Sequence, residues 1–180
     1  MRYLKYAPGK GILFSKNGHL QIEASADADW AGSPDDRRSI SGYCMLVRGN
    51  LVTWRSKKQS VVARSSAEAE YRAMAQGICE LLWLQKLLEE LRLSERSKLT
   101  LYCDNKAAIS ITHNPVQHDR TKHIEIDRHF IKEKLTSGVL NLHHISSQKQ
   151  LADVFTNGLS HRNFHSLIYK LGMCDIFAPT

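Results

Sequence analysis

The segment from Leu20 to Trp30 alternates apolar and polar side chains at every second residue. The apolar members are Leu20, Ile22, Ala24, Ala26, Ala28 and Trp30, and the polar members are Gln21, Glu23, Ser25, Asp27 and Asp29. This period of two predicts a β-strand with one apolar and one polar face. Asp27 and Asp29 therefore share a face at the end of a strand that suits the centre of a sheet. Carboxylates in that position need a reason to remain charged, and a divalent cation provides one.

The composition is that of one globular domain, with 180 residues of which 42% are hydrophobic and 24% are charged. No apolar run approaches the roughly 18 residues that a membrane span requires, and the N-terminal residues lack the apolar segment of a secretory signal. The four cysteines show no CxxC spacing, so we expect reduced thiols in an intracellular protein, cytoplasmic or nuclear. The net charge of +7 is compatible with a polyanionic partner, although many basic proteins bind no nucleic acid.

Turn signals and periodicity predict the order of the remaining elements. Asn17-Gly18 predicts a hairpin in which residues 12–14 pair with the strand of Asp27. Further strands are predicted at 41–48, 51–56, 99–105 and 139–145, and helices at 66–91, 106–111, 121–135, around 151–155 and at 163–171. Ser65 and Glu68 form a capping box at the start of the long helix. We expect an α/β fold with a five-stranded mixed sheet, three antiparallel strands followed by two parallel ones, flanked by helices. A right-handed crossover would make the strands of Asp27 and Asp104 neighbours.

Four acidic residues occupy comparable positions in this order. Asp27 and Asp104 each end a strand, and Glu70 and Asp153 each lie near a helix start. Four carboxylates that converge at one sheet edge would repel one another unless cations neutralise them. Two Mg²⁺ ions about 4 Å apart would do so, and would also clamp the attacking and leaving oxygens of a phosphoryl displacement. Alternatives stay open: Asp29 competes with Asp27, Glu70 has the position of a solvated helix-start glutamate, and Asp104 has that of a helix cap.

Several sequence blocks carry a family resemblance. They lie at 26–32 (Ala-Asp-Ala-Asp-Trp-Ala-Gly), 37–43, 54–59, 65–71, 103–105, 120–124, 129–130 and 150–156. In this order they resemble the ribonuclease H domain of copia-type LTR-retrotransposon polyproteins, particularly those of plants. The resemblance covers essentially the whole chain. It predicts a ribonuclease H domain over residues 20–160, a remnant of the reverse transcriptase connection with a short hairpin strand over 1–19, and a C-terminal helix and tail over 161–180.

The resemblance implies the ribonuclease H-like fold and hydrolysis of the RNA strand of RNA–DNA hybrids, with two Mg²⁺ as cofactors and Mn²⁺ able to substitute. It implies that Asp27, rather than Asp29, bridges both ions. Glu70 and Asp104 would hold the ion on the leaving-group side, and Asp153 would help to hold the ion that activates water. Glu68 is explained by the capping box. A reverse transcriptase domain of the parent polyprotein is the implied protein partner, and no membrane is involved.

Cations near the predicted acidic edge are candidates for phosphate contacts: Lys57, Lys58, Arg64 and Lys106. For each of them a solvated charged surface is the alternative. The chain also departs from the family pattern at two places. Ala26 replaces the usual serine before Asp27. Residues 146–149 replace the loop that carries a histidine in cellular ribonucleases H, which predicts slower product release.

Two other functions stay open. The first is a catalytically silent fragment with at most weak nucleic-acid binding, since the chain contains no polymerase; loss of Mg²⁺ binding would identify it. The second is a zinc-binding module that uses His113, His118, His123 and His129. Their spacing is not a known closed-site pattern and no cysteine lies nearby. Zinc stoichiometry distinguishes this module from the nuclease.

Overall fold

The computed structural model describes residues 9–18, 21–93, 98–113 and 122–177. The strands are β1 (Lys10–Ile12), β2 (Ile22–Ala28), β3 (Ile40–Val47), β4 (Asn50–Lys58), β5 (Leu99–Cys103), β6 (Leu140–His144) and β7 (Met173–Asp175). The helices are α1 (Ser66–Glu90), α2 (Lys106–His113), α3 (Lys122–Thr136), α4 (Asp153–Thr156) and α5 (His161–Lys170), and a 3₁₀ turn covers Ser147–Lys149. Among the described helices, none has the length and apolar character needed to cross a membrane.

The main sheet contains five strands in the order β4-β3-β2-β5-β6. β2, β3 and β4 pair antiparallel, and β5 runs parallel to both β2 and β6. This arrangement confirms the mixed sheet that the order of elements predicts. β2 is the central strand, and Ile22, Ala24 and Ala26 on it are fully buried. The polar face is covered as well, since Ser25 and Asp27 are also buried.

Helix α1 carries the chain from the edge strand β4 back across the sheet to β5. Ser65 Oγ accepts a hydrogen bond from the Glu68 backbone N–H (3.2 Å), and the Glu68 carboxylate accepts one from the Arg64 N–H (2.7 Å). The Ser65 bond is the one that the capping box predicts, whereas the Glu68 carboxylate bonds the N–H of the residue before the cap rather than that of Ser65. Further along, the position of a Cβ on Gly77 lies 3.5 Å from the Ala26 Cβ, so the helix lies close on β2. Nearer its start, Ala69 and Ala73 pack with Ala28, so the first turns of α1 lie at the end of β2.

The hairpin predicted at Asn17-Gly18 is wrong. β1 pairs antiparallel with β7, which places Gly11 opposite Cys174. The physical reason is that both edges of β2 are occupied, one by β3 and the other by β5, so β2 offers no free edge to β1. The residues after β1 contact the turn between β3 and β4 instead. There the Asn50 side chain bonds the Ser15 backbone N–H (2.6 Å) and C=O (2.9 Å).

Candidate active site

Three element ends bring carboxylates to one edge of the sheet. Ser25 pairs with Tyr102 in the parallel β2–β5 register, and continuing this register by two residues places Asp27 opposite Asp104. Asp153 begins α4, which packs against β2 and β3. One carboxylate oxygen from each of Asp27, Asp104 and Asp153 lies within 4.8 Å of the other two. We call these three residues the acid cluster.

Glu70 lies next to the acid cluster and contacts it at Asp27. Its side chain lies in the second turn of α1 and is only 4% exposed, so it is not a solvated glutamate. It is hydrogen-bonded to the Asp27 carboxyl group and accepts from the Ala28 backbone N–H. The Cys103 thiol lies 3.9 Å from Glu70 Oε2. All four acids predicted from the sequence therefore lie together, and Glu70 and Asp27 are equally buried.

The segment that follows β6 holds Asp27 in place. Thr156 Oγ1 donates to Asp27 Oδ2, and Asn157 Nδ2 lies 3.2 Å from the same oxygen and 3.5 Å from Asp153 Oδ1. Gln150 is fully buried, and its Nε2 donates to the Ala26 carbonyl oxygen (2.9 Å). Gln150 thus ties the segment that carries Asp153 to the strand that carries Asp27. The sequence does not indicate these roles of Thr156, Asn157 and Gln150, except that Gln150 and Thr156 lie in the 150–156 block.

Asp104 has its own hydrogen-bond donor. Ser147 Oγ lies 2.6 Å from Asp104 Oδ2 and donates to it. Ser147 begins the 3₁₀ turn, in the loop that departs from the cellular pattern. The helix-cap alternative for Asp104 does not hold, because the neighbouring Asn105 supplies the cap: its Oδ1 accepts from the Ala108 N–H (3.0 Å). The Asp104 carboxylate is therefore left to the acid cluster.

Burial and mutual repulsion raise the carboxyl pKa values here. Burial, followed by repulsion from Asp27 and Asp104, raises the pKa of Asp153 to about 7 and that of Glu70 well above its usual range. Burial also raises the pKa of Asp27, although the Thr156 hydrogen bond opposes this. Glu70 and Asp153 therefore hold their protons more tightly than free carboxyl groups do, and a cation would compete with those protons. An all-oxygen donor set of this kind fits a hard cation such as Mg²⁺.

The chain aligns with the retrovirus-related Pol polyprotein from transposon RE1 of Arabidopsis thaliana at 43% identity, over 98% of this chain and 12% of the polyprotein. It aligns with the corresponding polyprotein from transposon TNT 1-94 of Nicotiana tabacum at 34% identity, over 96% of this chain and 13% of the polyprotein. A crystal structure of LC11-RNase H1 in complex with RNA/DNA hybrid matches with a TM-score of 0.55 at 16% identity, covering 76% of this chain and 94% of that chain. No protein-family model matches the chain.

The chain is a homologue of one segment of the plant transposon Pol polyproteins and has the ribonuclease H fold. This confirms the resemblance to copia-type polyproteins and the predicted fold class. The chain spans 12–13% of the length of these polyproteins. Fold and relatives together support a ribonuclease H-type function.

Asp29, the alternative to Asp27, lies outside the acid cluster. It lies just beyond the end of β2, and its Oδ1 accepts from the Ile40 backbone N–H. Its carboxylate also lies against Gly32, where it leaves no room for a Cβ. Asp29 thus fixes the loop after β2, and Asp27 is the one of the pair that lies in the acid cluster.

The four predicted phosphate contacts have different surroundings. Lys58 Nζ donates to Ser33 Oγ (3.0 Å) and lies 3.4 Å from an Asp36 oxygen, so it holds the loop before β3. Lys57 is exposed at the end of the edge strand β4. Arg64 and Lys106 are also exposed, and each lies within six residues of a site acid, Glu70 or Asp104. Contact of any of them with phosphate stays a prediction.

The zinc alternative concerns side chains that lie mostly outside the described part of the chain. These are the side chains of His113, His118 and His123. His129 is exposed on α3. The zinc module therefore stays an untested prediction.

Proposed function

We propose that this chain is a metal-dependent endonuclease that hydrolyses the RNA strand of RNA–DNA hybrids. The observation that carries the proposal is the acid cluster, in which three carboxylates from three separate elements meet within 4.8 Å on a ribonuclease H fold. Asp27, Glu70, Asp104 and Asp153 would hold two Mg²⁺ ions, with Mn²⁺ able to substitute. When bound, such ions lower the pKa of an attacking water and neutralise charge on the leaving oxygen.

The chain's own contribution is to preorganise these ligands. Thr156 and Asn157 orient Asp27, and Ser147 orients Asp104, through the hydrogen bonds described above. Partners of this kind fix the geometry of metal-ligating carboxylates and contribute strongly to metal affinity. Because burial and repulsion raise the carboxyl pKa values of Glu70 and Asp153, cation binding should release protons and should strengthen as pH rises.

The proposed substrate and partners follow from the same reasoning. Choice of an RNA–DNA hybrid would rest on contacts to RNA 2′-hydroxyls and on groove shape. The protein partner would be a reverse transcriptase domain in the parent polyprotein, and the location would be intracellular. The expectation of a partner domain is supported by the relatives being polyproteins several times longer than this chain.

Cleavage of an end-labelled RNA–DNA hybrid in Mg²⁺ or Mn²⁺ tests the proposal. The matched variants are Asp27→Asn and Asp104→Asn, with Asp29→Asn as the control from the same segment, and single-stranded RNA and duplex DNA as control substrates. We expect metal-dependent cutting of the hybrid alone, lost in the first two variants and retained in the control. Cutting that persists in Asp27→Asn and Asp104→Asn would reveal a contaminating nuclease. A folded protein that neither binds Mg²⁺ nor cuts would refute the proposal and leave the silent fragment.

A further inference from the structure

A polar cavity of about 550 Å³ lies between the 3₁₀ turn and α5. Three cations line it, Lys149 from the turn and Arg162 and Lys170 from α5, together with the hydroxyl-bearing Ser166. We call these four residues the basic trough. Asp153 is the carboxylate in its lining, so positive charge dominates.

The spacing of residues on α5 produces the basic trough. Arg162, Ser166 and Lys170 recur every four residues and so share one face of the helix. Phe164 and Ile168 are buried on the other side and attach the helix to the body of the protein. Lys170 Nζ also lies 3.4 Å from the Gln148 carbonyl oxygen, which joins the end of α5 to the 3₁₀ turn. The trough therefore has α5 as one wall and the 3₁₀ turn as the other.

Within the described residues, the cations of the basic trough form no ion pair. Lys149, Arg162 and Lys170 are exposed, and the ion pairs found within the described ranges include none of them. Arginine and lysine in a concave polar surface favour phosphate, which arginine can bind through two parallel hydrogen bonds.

The basic trough is continuous with the acid cluster. Asp153 lines the trough and is a member of the cluster, and Ser147 lines the trough while donating to Asp104. A polyanion bound at the cluster would therefore extend into the trough without crossing another element. We infer that the basic trough holds a backbone phosphate of the strand that is cut, next to the phosphodiester at the acid cluster. This inference rests on the proposed function and adds a subsite that positions the substrate.

The test uses the double variant Arg162→Gln/Lys170→Gln of the full chain. Binding of an uncleaved RNA–DNA hybrid is measured in Ca²⁺ over a range of salt concentrations. Each phosphate contact that is lost should reduce the slope of log affinity against log salt by about 0.9. In the cleavage assay we expect a raised KM and an unchanged kcat, because the contact is made equally in the ground and transition states. Lys149→Gln, in the exposed turn, serves as a second variant if the double variant melts early.

The matched control is Lys86→Gln/Lys132→Gln, which removes the same charge elsewhere. Lys86 lies sixteen residues along α1 from Glu70, which is about 24 Å at the helical rise. Hybrids carrying one neutral methylphosphonate at successive RNA positions locate the contact. We expect one position at which the wild type loses affinity and the double variant does not.

The outcomes separate the two proposals. An unchanged salt slope and KM in the folded double variant, or an equal loss in the control, would overturn the trough. A different result would be a wild type that binds hybrids but cuts nothing, with a salt slope that the double variant reduces. That result would refute the nuclease and retain the trough as a phosphate site.

Discussion

Replacing Asp104 by Asn should stabilise the metal-free protein. An oxygen of Asp104 lies within 4.8 Å of oxygens of Asp27 and Asp153, and its charge contributes to the raised pKa values of Asp27, Glu70 and Asp153. Asparagine keeps an oxygen that can accept the hydrogen bond from Ser147 Oγ. The substitution therefore removes one charge from the cluster and preserves the local hydrogen bond.

The magnitude follows from the separation of the oxygens. Two unit charges 4.8 Å apart repel by about 3.5 kcal/mol at an effective dielectric constant of about 20, and by about 0.9 kcal/mol in bulk water. Asp104 is partly exposed, so solvent screens its charge and we expect a net gain near the lower figure, about 1 to 2 kcal/mol. For a chain of this size, that gain corresponds to a rise in Tm of about 2–8 °C.

Thermal unfolding followed by circular dichroism, in EDTA and then in Mg²⁺ at about pH 8, measures this effect. We expect the wild type to melt at a lower temperature in EDTA and to gain stability from Mg²⁺. The Asp104→Asn variant should melt higher in EDTA and gain little from Mg²⁺, whereas Asp29→Asn should respond to Mg²⁺ like the wild type. An Asp104→Asn variant that is less stable in EDTA, or that keeps the full Mg²⁺ response, would refute the reasoning.

Three further predictions test the surroundings of the acid cluster. The folded state raises the carboxyl pKa values of Glu70 and Asp153, so above the ordinary values it binds more protons than the unfolded state. Tm in EDTA should therefore fall as pH rises from about 4, with the Asp153 contribution lost by about 7 and that of Glu70 by about 10; a rise in Tm over this window would contradict the prediction. Ser147→Ala should weaken Mg²⁺ binding by about 10-fold in calorimetry, with Ser147→Thr restoring it, and equal affinities would exclude the role given to this hydroxyl. Gly42→Ala should reduce the Mg²⁺-dependent gain in Tm, because its Cβ would lie 2.6 Å from Thr156 Cγ2 and 2.9 Å from Phe155 Cβ and displace α4; a variant with the wild-type gain would show that α4 adapts.

Local patterns were sufficient for the central strand and for the elements that carry the acids. Strand β2 needs small apolar residues on the face beneath α1, because the helix lies close on it there. The alternation of Ala24 and Ala26 with polar neighbours makes that face recognisable from the sequence alone. Ser65 and Glu68 mark the start of α1 by a bond between residues three apart. Such features depend on neighbours in the sequence, so periodicity and capping rules detect them.

Periodicity and capping rules could not predict contacts between residues that are far apart in the sequence. The pairing of Gly11 with Cys174 joins the two ends of the described chain, and nothing in either segment specifies the other. Local rules also could not decide between Asp27 and Asp29, because both lie on the polar side of the same alternation. The structure separates them because β2 ends at Ala28, after which Asp29 turns to the Ile40 N–H.

The segment from Ser147 to Asn157 has two opposing effects on the site. It adds a third carboxylate, Asp153, to a cluster that already repels itself, and this raises the cost of closing the site without a cation. The same segment supplies the hydrogen bonds of Ser147, Thr156 and Asn157 to the two strand-borne acids, which offset part of that repulsion. The basic trough lies between this segment and α5, and there the excess charge is positive. A phosphate strand would therefore be attracted beside the cluster and repelled by it until cations bind, which makes productive binding of the substrate conditional on the metal.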